Sequence, residues 1–162
     1  MAYADRFLPE FDQEMKTTRS LLERVPMDKA SWKPHTKSRS LGELADHVAA
    51  IARFGSLIST MSELNAMTMP RLGPTSSADE LLARFDANVD ASRRDIASMS
   101  EDDVGATWTF KIGDHVVFAL PRAGAVRSLL MSHMIHHRGQ LSVYLRELDV
   151  PLPSIYGPTA DT

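Results

Sequence analysis

The sequence predicts an all-α protein: a four-helix bundle with a long crossover after the second helix and a short β-hairpin insertion before the fourth. Four long segments repeat apolar side chains at helical spacing. The connection after the second segment is long enough for a crossover, and one stretch before the fourth follows a strand pattern. At 162 residues, 43% of them hydrophobic, we expect one domain over residues 1–162.

The first predicted helix spans Tyr3 to Arg24 and ends before Pro26, because proline cannot continue a helix. Its apolar stripe consists of Phe7, Phe11, Met15 and Leu22. This stripe predicts that one face of the helix lies against the core.

The second predicted helix begins near Ser40, which favours an N-cap with Glu43 completing a capping box. It continues to about Met61, with an apolar stripe of Leu44, Val48, Ile51, Gly55 and Ile58. The next stretch, "NAMTMPRLGPTSS", is rich in proline and glycine and predicts a connection without regular structure.

The third predicted helix runs from Ser77 to Met99, with Leu81, Leu82, Phe85, Val89 and Ile96 on one face. In "TWTFKIGDHVVFAL", β-branched and aromatic residues flank a Gly-Asp turn. This pattern predicts a hairpin with strands at 107–111 and 116–120. An isolated hairpin is marginally stable, so we expect it to pack on a helix or to pair with a partner chain.

The fourth predicted helix opens after Pro121 and runs to about Leu148. It contains "HMIHHRGQL", which holds three of the six histidines. At about 100° per residue, His133 and His137 fall within the apolar stripe of this helix, one turn apart. That spacing stacks two imidazoles on one face, as binding of a single metal ion requires.

The second helix offers a third inward-facing imidazole, His47 of "LADHVAAI". Three neutral imidazoles from two helices could hold a divalent cation and leave positions open for water or substrate. Zinc or nickel suits such a site, and iron or manganese is the alternative. The competing interpretation is that these are core histidines that bond to carbonyl or carboxylate groups and bind no metal.

Several neighbours are candidates for supporting roles. Gln140 projects from the same side as the histidine pair, where it could bind a cofactor or substrate or make a helix–helix hydrogen bond. Glu43 and His136 are the candidates for a fourth ligand, although capping is the favoured role for Glu43. Arg138 favours a salt bridge inside the bundle or at a dimer contact. Tyr156 could cover the mouth of a cleft or anchor the C-terminal tail.

Two stretches resemble a known family. "HHRGQLSVYLRELDVPLPSIYGP" and "SWKPHTKSRSLGELADHVA" are similar to motifs of the DinB-like family of damage-inducible proteins, a histidine-coordinated metal superfamily, and the resemblance covers nearly the whole chain. It implies a four-helix bundle with a crossover, often a homodimer, and three metal-binding histidines. By motif position these are His47, His133 and His137. The family also includes metal-dependent thiol transferases and isomerases that use low-molecular-weight thiols.

Composition excludes several classes of function. The net charge is -3, and no basic run indicates a nucleic-acid partner. No apolar segment is long enough to cross a membrane, and the N-terminal stretch has neither signal-peptide nor anchor character. Cysteine is absent, which removes disulfides, thiolate nucleophiles and cysteine metal ligands. These features fit a cytoplasmic protein.

We therefore expect a divalent-metal-dependent enzyme with a three-histidine site, either a thiol-S-transferase or a hydrolase. Any thiol must come from a small molecule, because the chain has none. The alternative is a non-catalytic, dimeric binding or stress-response protein in which the metal staples two helices together. A fourth protein ligand would favour that alternative, since structural metal sites saturate their coordination.

Overall fold

Helices form most of the chain in the computed structural model, which describes residues 2–162. In chain order the α-helices are α1 (Tyr3–Leu22), α2 (Leu41–Ile51), α3 (Phe54–Thr60), α4 (Ala78–Ala97), α5 (Glu101–Gly105), α6 (Arg122–Ala125) and α7 (His133–Glu147). A short 3-10 helix lies at Met27–Lys29. A π-helical segment, Val126–Ser132, joins α6 to α7, so the predicted fourth helix is helical throughout.

A three-stranded sheet accompanies the helices. Strands β2 (Thr107–Ile112) and β3 (His115–Pro121) form the predicted hairpin, slightly longer than expected, with Gly113 at φ 60° in the turn. Strand β1 (Glu63–Asn65) pairs parallel to β2 and was not predicted. The Asn65 side chain fastens the turn, since its Oδ1 accepts from the Gly113 amide and its Nδ2 donates to the Gly113 carbonyl.

The predicted fold class is confirmed as a mostly helical fold with a small sheet, and the four-helix bundle itself stays a prediction. Helix α1 packs against α4 and α7, and α2 packs against the same two helices. This arrangement places α2 directly beside α7, so it brings together the two helices that carry the candidate ligands.

The prediction of one continuous second helix is wrong, because a side chain of α4 interrupts it. The Ser92 hydroxyl donates to the Ala52 carbonyl (2.5 Å) and accepts from the Ser56 amide (2.8 Å), two groups that would bond to each other in an unbroken helix. The Asn88 amide also occupies the Ala49 carbonyl. Insertion of a side chain into the backbone ladder breaks a helix, and here it separates α2 from α3.

The core lies between the long helices and beneath the sheet. Its largest fully buried apolar side chains include Trp108, Phe11, Phe85, Leu21, Leu22, Leu41, Leu44 and Ile51. Trp108 belongs to β2, and its burial ties the hairpin to the helices, one of the two arrangements expected for the hairpin. None of the helices in residues 2–162 combines the length and the apolar composition needed to cross a bilayer.

Candidate metal centre

The three predicted ligands lie together between α2 and α7. His47 comes from α2, and His133 and His137 come from the first turns of α7. Each offers one ring nitrogen, and these three nitrogens all lie within 4.8 Å of one another. The Nε2 atoms of His47 and His133 are 3.3 Å apart.

Local sequence explains how the rings reach this position. The predicted capping box starts α2, because the Ser40 hydroxyl accepts from the Glu43 amide and the Glu43 carboxylate accepts from the Ser40 amide. His47 lies at the edge of the buried face of α2 that contains Leu44 and Val48, and its ring packs against the rings of His133 and His137 on α7. On α7, the i, i+4 spacing places both rings on one face.

One ligand is held in a defined orientation by a hydrogen bond. The Nδ1–H of His137 donates to Oε1 of Gln140 at 2.7 Å, so the proton lies on Nδ1 and the lone pair on Nε2 faces the cluster. A bond of this kind from the far nitrogen of a ligand ring is the usual support of a metal-binding histidine. The prediction that Gln140 binds a cofactor directly stays a prediction.

All three imidazoles are half-buried, and their surroundings favour the neutral form. Burial, followed by the charges of Arg39 and the neighbouring histidines, lowers the pKa of His47 to about 3. Burial is also the main cause of the lowered pKa values of His133 and His137. Neutral rings keep their lone pairs available at neutral pH, as metal binding requires.

The geometry fits a divalent ion. Metal–nitrogen bonds of about 2.0–2.1 Å in tetrahedral geometry separate two ligand nitrogens by about 3.3 Å, which matches the His47–His133 Nε2 distance of 3.3 Å. The ligand nitrogen of the third ring, His137, lies within 4.8 Å of the other two. An all-nitrogen donor set suits borderline transition metals better than magnesium or calcium, which prefer oxygen.

Neither predicted candidate for a fourth ligand joins this cluster. Among residues 2–162 the group that could hold an ion contains only the three histidines. Glu43 is exposed and caps α2, with Lys33 Nζ at 3.7 Å. His136 is exposed and packs edge-on against the ring of His137. An ion held by these three residues would therefore keep part of its coordination sphere open.

A buried ion pair lies on the other side of α7. Arg138 is 1% exposed, and its guanidinium lies 2.6 Å from the Glu14 carboxylate of α1. The Tyr156 hydroxyl donates to Glu14 at 2.9 Å and also contacts Arg138. Of the alternatives considered, Arg138 thus forms a salt bridge inside the molecule and Tyr156 anchors the tail. Glu14 was not predicted, because a glutamate on a helix face normally indicates solvent.

A cleft of about 870 Å³ opens beside the cluster and reaches His47. The polar link before α2, the face of α2 and the loop after β1 contribute its walls. Most of its charged lining residues were not predicted from the sequence, because they are divided among separate segments of the chain and form no continuous basic run. Their only signal was a scatter of Lys and Arg in two loops that the fold brings together.

Comparison with known proteins supports the same fold and family. A sequence model of the DinB superfamily matches residues 10–141. The Bacillus subtilis protein YrdA is 25% identical over 158 residues, which cover 97% of this chain and 90% of YrdA. YjoA of the same organism is 26% identical over 149 residues, which cover 91% of this chain and 92% of YjoA.

Two solved structures share the fold. The crystal structure of YjoA, a DinB-like protein, superposes with a TM-score of 0.72 at 20% identity, covering 95% of this chain and 99% of that chain. A DinB-like protein from Bacillus cereus superposes with a TM-score of 0.68 at 19% identity, covering 93% and 95%. At this level of identity the likeness establishes the fold, and the chemistry must be argued from the site.

Proposed function

The chain belongs to the DinB superfamily, and on that premise we propose that it is a divalent-metal-dependent enzyme. Its reaction would be thiol transfer or hydrolysis, with a small-molecule thiol or water as the nucleophile. His47, His133 and His137 would hold the metal, with zinc or nickel favoured over iron or manganese. The four long helical segments would form the bundle that holds this site.

One observation carries the proposal: three neutral imidazoles converge at ligand spacing, and no fourth protein ligand among residues 2–162 joins them. Catalytic zinc sites commonly use three protein ligands and keep an open position, whereas structural sites are closed. A cleft of about 870 Å³ meets the cluster at His47. This is within the size range of small-molecule sites, about 300–1,000 Å³.

The bound ion, the residues around it and the cleft would have separate roles in the reaction. A bound divalent ion supplies Lewis acidity, which lowers the pKa of a coordinated water or thiol toward neutrality. Gln140 fixes the ring of His137, and burial keeps the three imidazoles uncharged at neutral pH. The cleft admits the substrate from the side of His47.

The absence of cysteine makes the proposal specific about the nucleophile. With no thiol in the chain, a sulfur nucleophile must arrive as a separate small molecule. Transfer would then join that sulfur to an electrophilic substrate and release the leaving group of the substrate. In the hydrolytic version, water takes the place of the thiol.

A two-part assay tests this function. Metal-restored protein should accelerate either reaction of a panel of low-molecular-weight thiols with alkyl or epoxide electrophiles, or hydrolysis of activated esters and amides. His47→Ala should lose that rate, and the exposed His35→Ala should keep it. A metal-loaded protein that accelerates no reaction in either panel would contradict the enzyme proposal.

The non-catalytic alternative makes a different prediction. A purely structural ion would have to recruit a fourth protein ligand when it binds, because structural sites are closed, and an added thiol would then find no vacant position on it. In cobalt-substituted protein, addition of a small thiol should therefore leave the absorption spectrum unchanged. We expect instead a new near-ultraviolet charge-transfer band that saturates with thiol concentration.

We also infer a homodimer. Strand β3 is an edge of the sheet, and Val116 and Val117 are exposed on it. An exposed apolar edge strand tends to pair with another chain. Light scattering at micromolar concentration should give twice the mass of the chain for the wild type and a monomer for Val117→Lys. A monomeric wild type would contradict this inference.

A further inference from the structure

The cleft beside His47 concentrates positive charge. Its lining includes two carboxylates, Glu43 and Asp46, and six basic side chains: Lys33, Lys37, Arg39, Arg53, Arg71 and Arg84. The chain as a whole has a net charge of -3. The excess of cations is therefore a property of this cleft and not of the protein surface in general.

Both carboxylates of the cleft already have cationic partners. Glu43 caps α2 and lies 3.7 Å from Lys33 Nζ. Asp46 accepts from Arg84 at 3.1 Å and from the backbone and side chain of Thr75. Neither carboxylate is free to neutralise the other four cations.

None of those four cations makes an ion pair within residues 2–162, and three of them also donate no side-chain hydrogen bond there: Lys37, Arg39 and Arg71. All three are exposed and belong to the two loops that form the walls of the cleft. Arg39 lines the cleft together with His47 of the histidine cluster. A cleft lined by charges of one sign concentrates ions of the opposite sign.

The fourth cation, Arg53, has an unused donor. Both of its Nη atoms lie 3.3 Å from the carbonyl oxygen of Pro70. Its Nε is buried and has no hydrogen-bond partner among the residues that the structure describes. Such groups are uncommon in native proteins, and either an ordered water or a bound anion would satisfy this one.

We propose that this cleft binds a small organic anion with a carboxylate or phosphate group, which is held by Arg39, Arg53 and Arg71 so that the rest of the molecule reaches the three histidines. The proposal rests on the proposed function, since it names the class of substrate or thiol that the metal site would use. Arginine forks match carboxylate and phosphate oxygens in pairs. A polyanion such as nucleic acid would require an extended basic surface, whereas these cations face one concave cleft.

Calorimetric titration of the full chain, with and without metal, tests the anion site directly. The probes are succinate and inorganic phosphate, with succinamide as the uncharged match of succinate. The variant Arg39→Gln/Arg71→Gln removes two cleft cations. Its matched control, Arg6→Gln/Lys16→Gln, removes two exposed, unpaired cations from α1.

Succinate or phosphate should bind the wild type and the control equally, and binding should weaken at least about tenfold in the cleft variant. Succinamide should not bind. Which of the two anions binds more tightly separates a carboxylate ligand from a phosphate ligand. Equal affinity in the cleft variant and the control would overturn the proposal. Arg71→Gln alone is a second test variant, because an exposed loop residue is expected to tolerate substitution, and it should also weaken anion binding.

Two further measurements identify the class of ligand and distinguish failure of the anion site from failure of the proposed enzyme function. Binding of a single-stranded oligonucleotide or of phosphatidylserine vesicles that depends on Arg39 and Arg71, without binding of either small anion, would overturn the small-molecule assignment.

Metal content is measured on the same samples. Anion binding without metal would leave the cleft standing and contradict the metal enzyme. Metal binding without charge-dependent anion binding would contradict the anion site and leave the proposed metal enzyme unaffected.

Discussion

At the scale of single residues, the histidines show what a helical wheel can and cannot predict. His47, His133 and His137 were predicted to face inward from their positions relative to apolar neighbours, and the structure brings their ring nitrogens within 4.8 Å. The hydrogen bond from His137 to Gln140 was not predicted, because i, i+3 spacing allows such a bond without requiring it. Whether the bond forms depends on the side-chain rotamers, which a helical wheel does not describe.

Gln140 should control metal affinity through its bond to His137. Gln140→Ala removes the acceptor of the Nδ1 proton, so we expect metal affinity to fall about 10–100-fold. Gln140→Glu keeps an acceptor at the same position and should retain most of the affinity. Competition with a chromophoric chelator measures both variants. Wild-type affinity in Gln140→Ala would show that the bond does not support a ligand.

The histidines should also make the metal-free protein sensitive to mild acid. The pKa of His47 is lowered to about 3 in the folded chain, whereas an unfolded histidine has a pKa of about 6.5. Between these values the unfolded chain binds more protons, so the free energy of unfolding rises with pH through this window and is lost as the pH falls.

Urea unfolding of the metal-free protein is measured between about pH 7 and about pH 5, a range in which most carboxylates do not change protonation. The free energy of unfolding should decrease over that interval in the wild type and in His35→Gln, whose ring is exposed. The decrease should be smaller in His47→Gln. The same decrease in all three proteins would mean that His47 does not contribute to it.

At the scale of elements, the break between α2 and α3 illustrates what periodicity misses. The apolar stripe continues from Leu44 to Ile58 without interruption, so the sequence predicts one helix. The interruption comes from the hydroxyl of Ser92, a residue of α4 that is distant in the chain. Strand β1 was missed for a related reason: three residues carry too little pattern, and only pairing with β2 makes them a strand.

Two glycines should respond oppositely to alanine because of this packing. A Cβ on Gly55 would lie 2.6 Å from the Cβ of Ser92, closer than the two helices allow, whereas nothing lies within 4 Å of a Cβ on Gly139. We expect Gly55→Ala to cost about 1–3 kcal/mol of stability. Gly139→Ala should be neutral or stabilise by up to about 1 kcal/mol, because alanine is the better helix former.

Thermal and urea unfolding of the two variants under identical conditions make the comparison. If Gly55→Ala were as stable as the wild type, the close contact between α3 and α4 would be wrong. Gly139→Ala serves as the control for alanine propensity, since it lies in a helix and its added methyl group meets only solvent.

The ion pair between α1 and α7 should matter far more than an exposed one. Glu14→Gln leaves the guanidinium of Arg138, 1% exposed, without its counter-charge. We expect a loss of about 3–5 kcal/mol, as for other broken buried pairs. Glu10 lies on α1 like Glu14, but its ion pair with Arg127 is exposed to solvent. Glu10→Gln should therefore cost about 0–1 kcal/mol. Similar losses for the two variants in urea unfolding would contradict the buried network.

At the scale of the whole molecule, the sequence predicted the long helical segments, the hairpin and the three-histidine cluster, since each leaves a local periodic signal. It did not predict the cationic cleft, nor that Glu14 is the partner of both Arg138 and Tyr156. Both depend on which loops and helix faces the fold brings together. The crossing of α2 and α7 is the feature that turns two weak local signals into one site.

The most direct measurement is metal content per chain, by plasma mass spectrometry on protein purified without a histidine tag or chelator. We predict about one equivalent of a divalent transition metal in the wild type and in His136→Ala, whose ring lies outside the cluster. His133→Ala should lose the metal. No metal in the wild type, even after reconstitution, or equal metal in His133→Ala, would contradict the three-histidine centre.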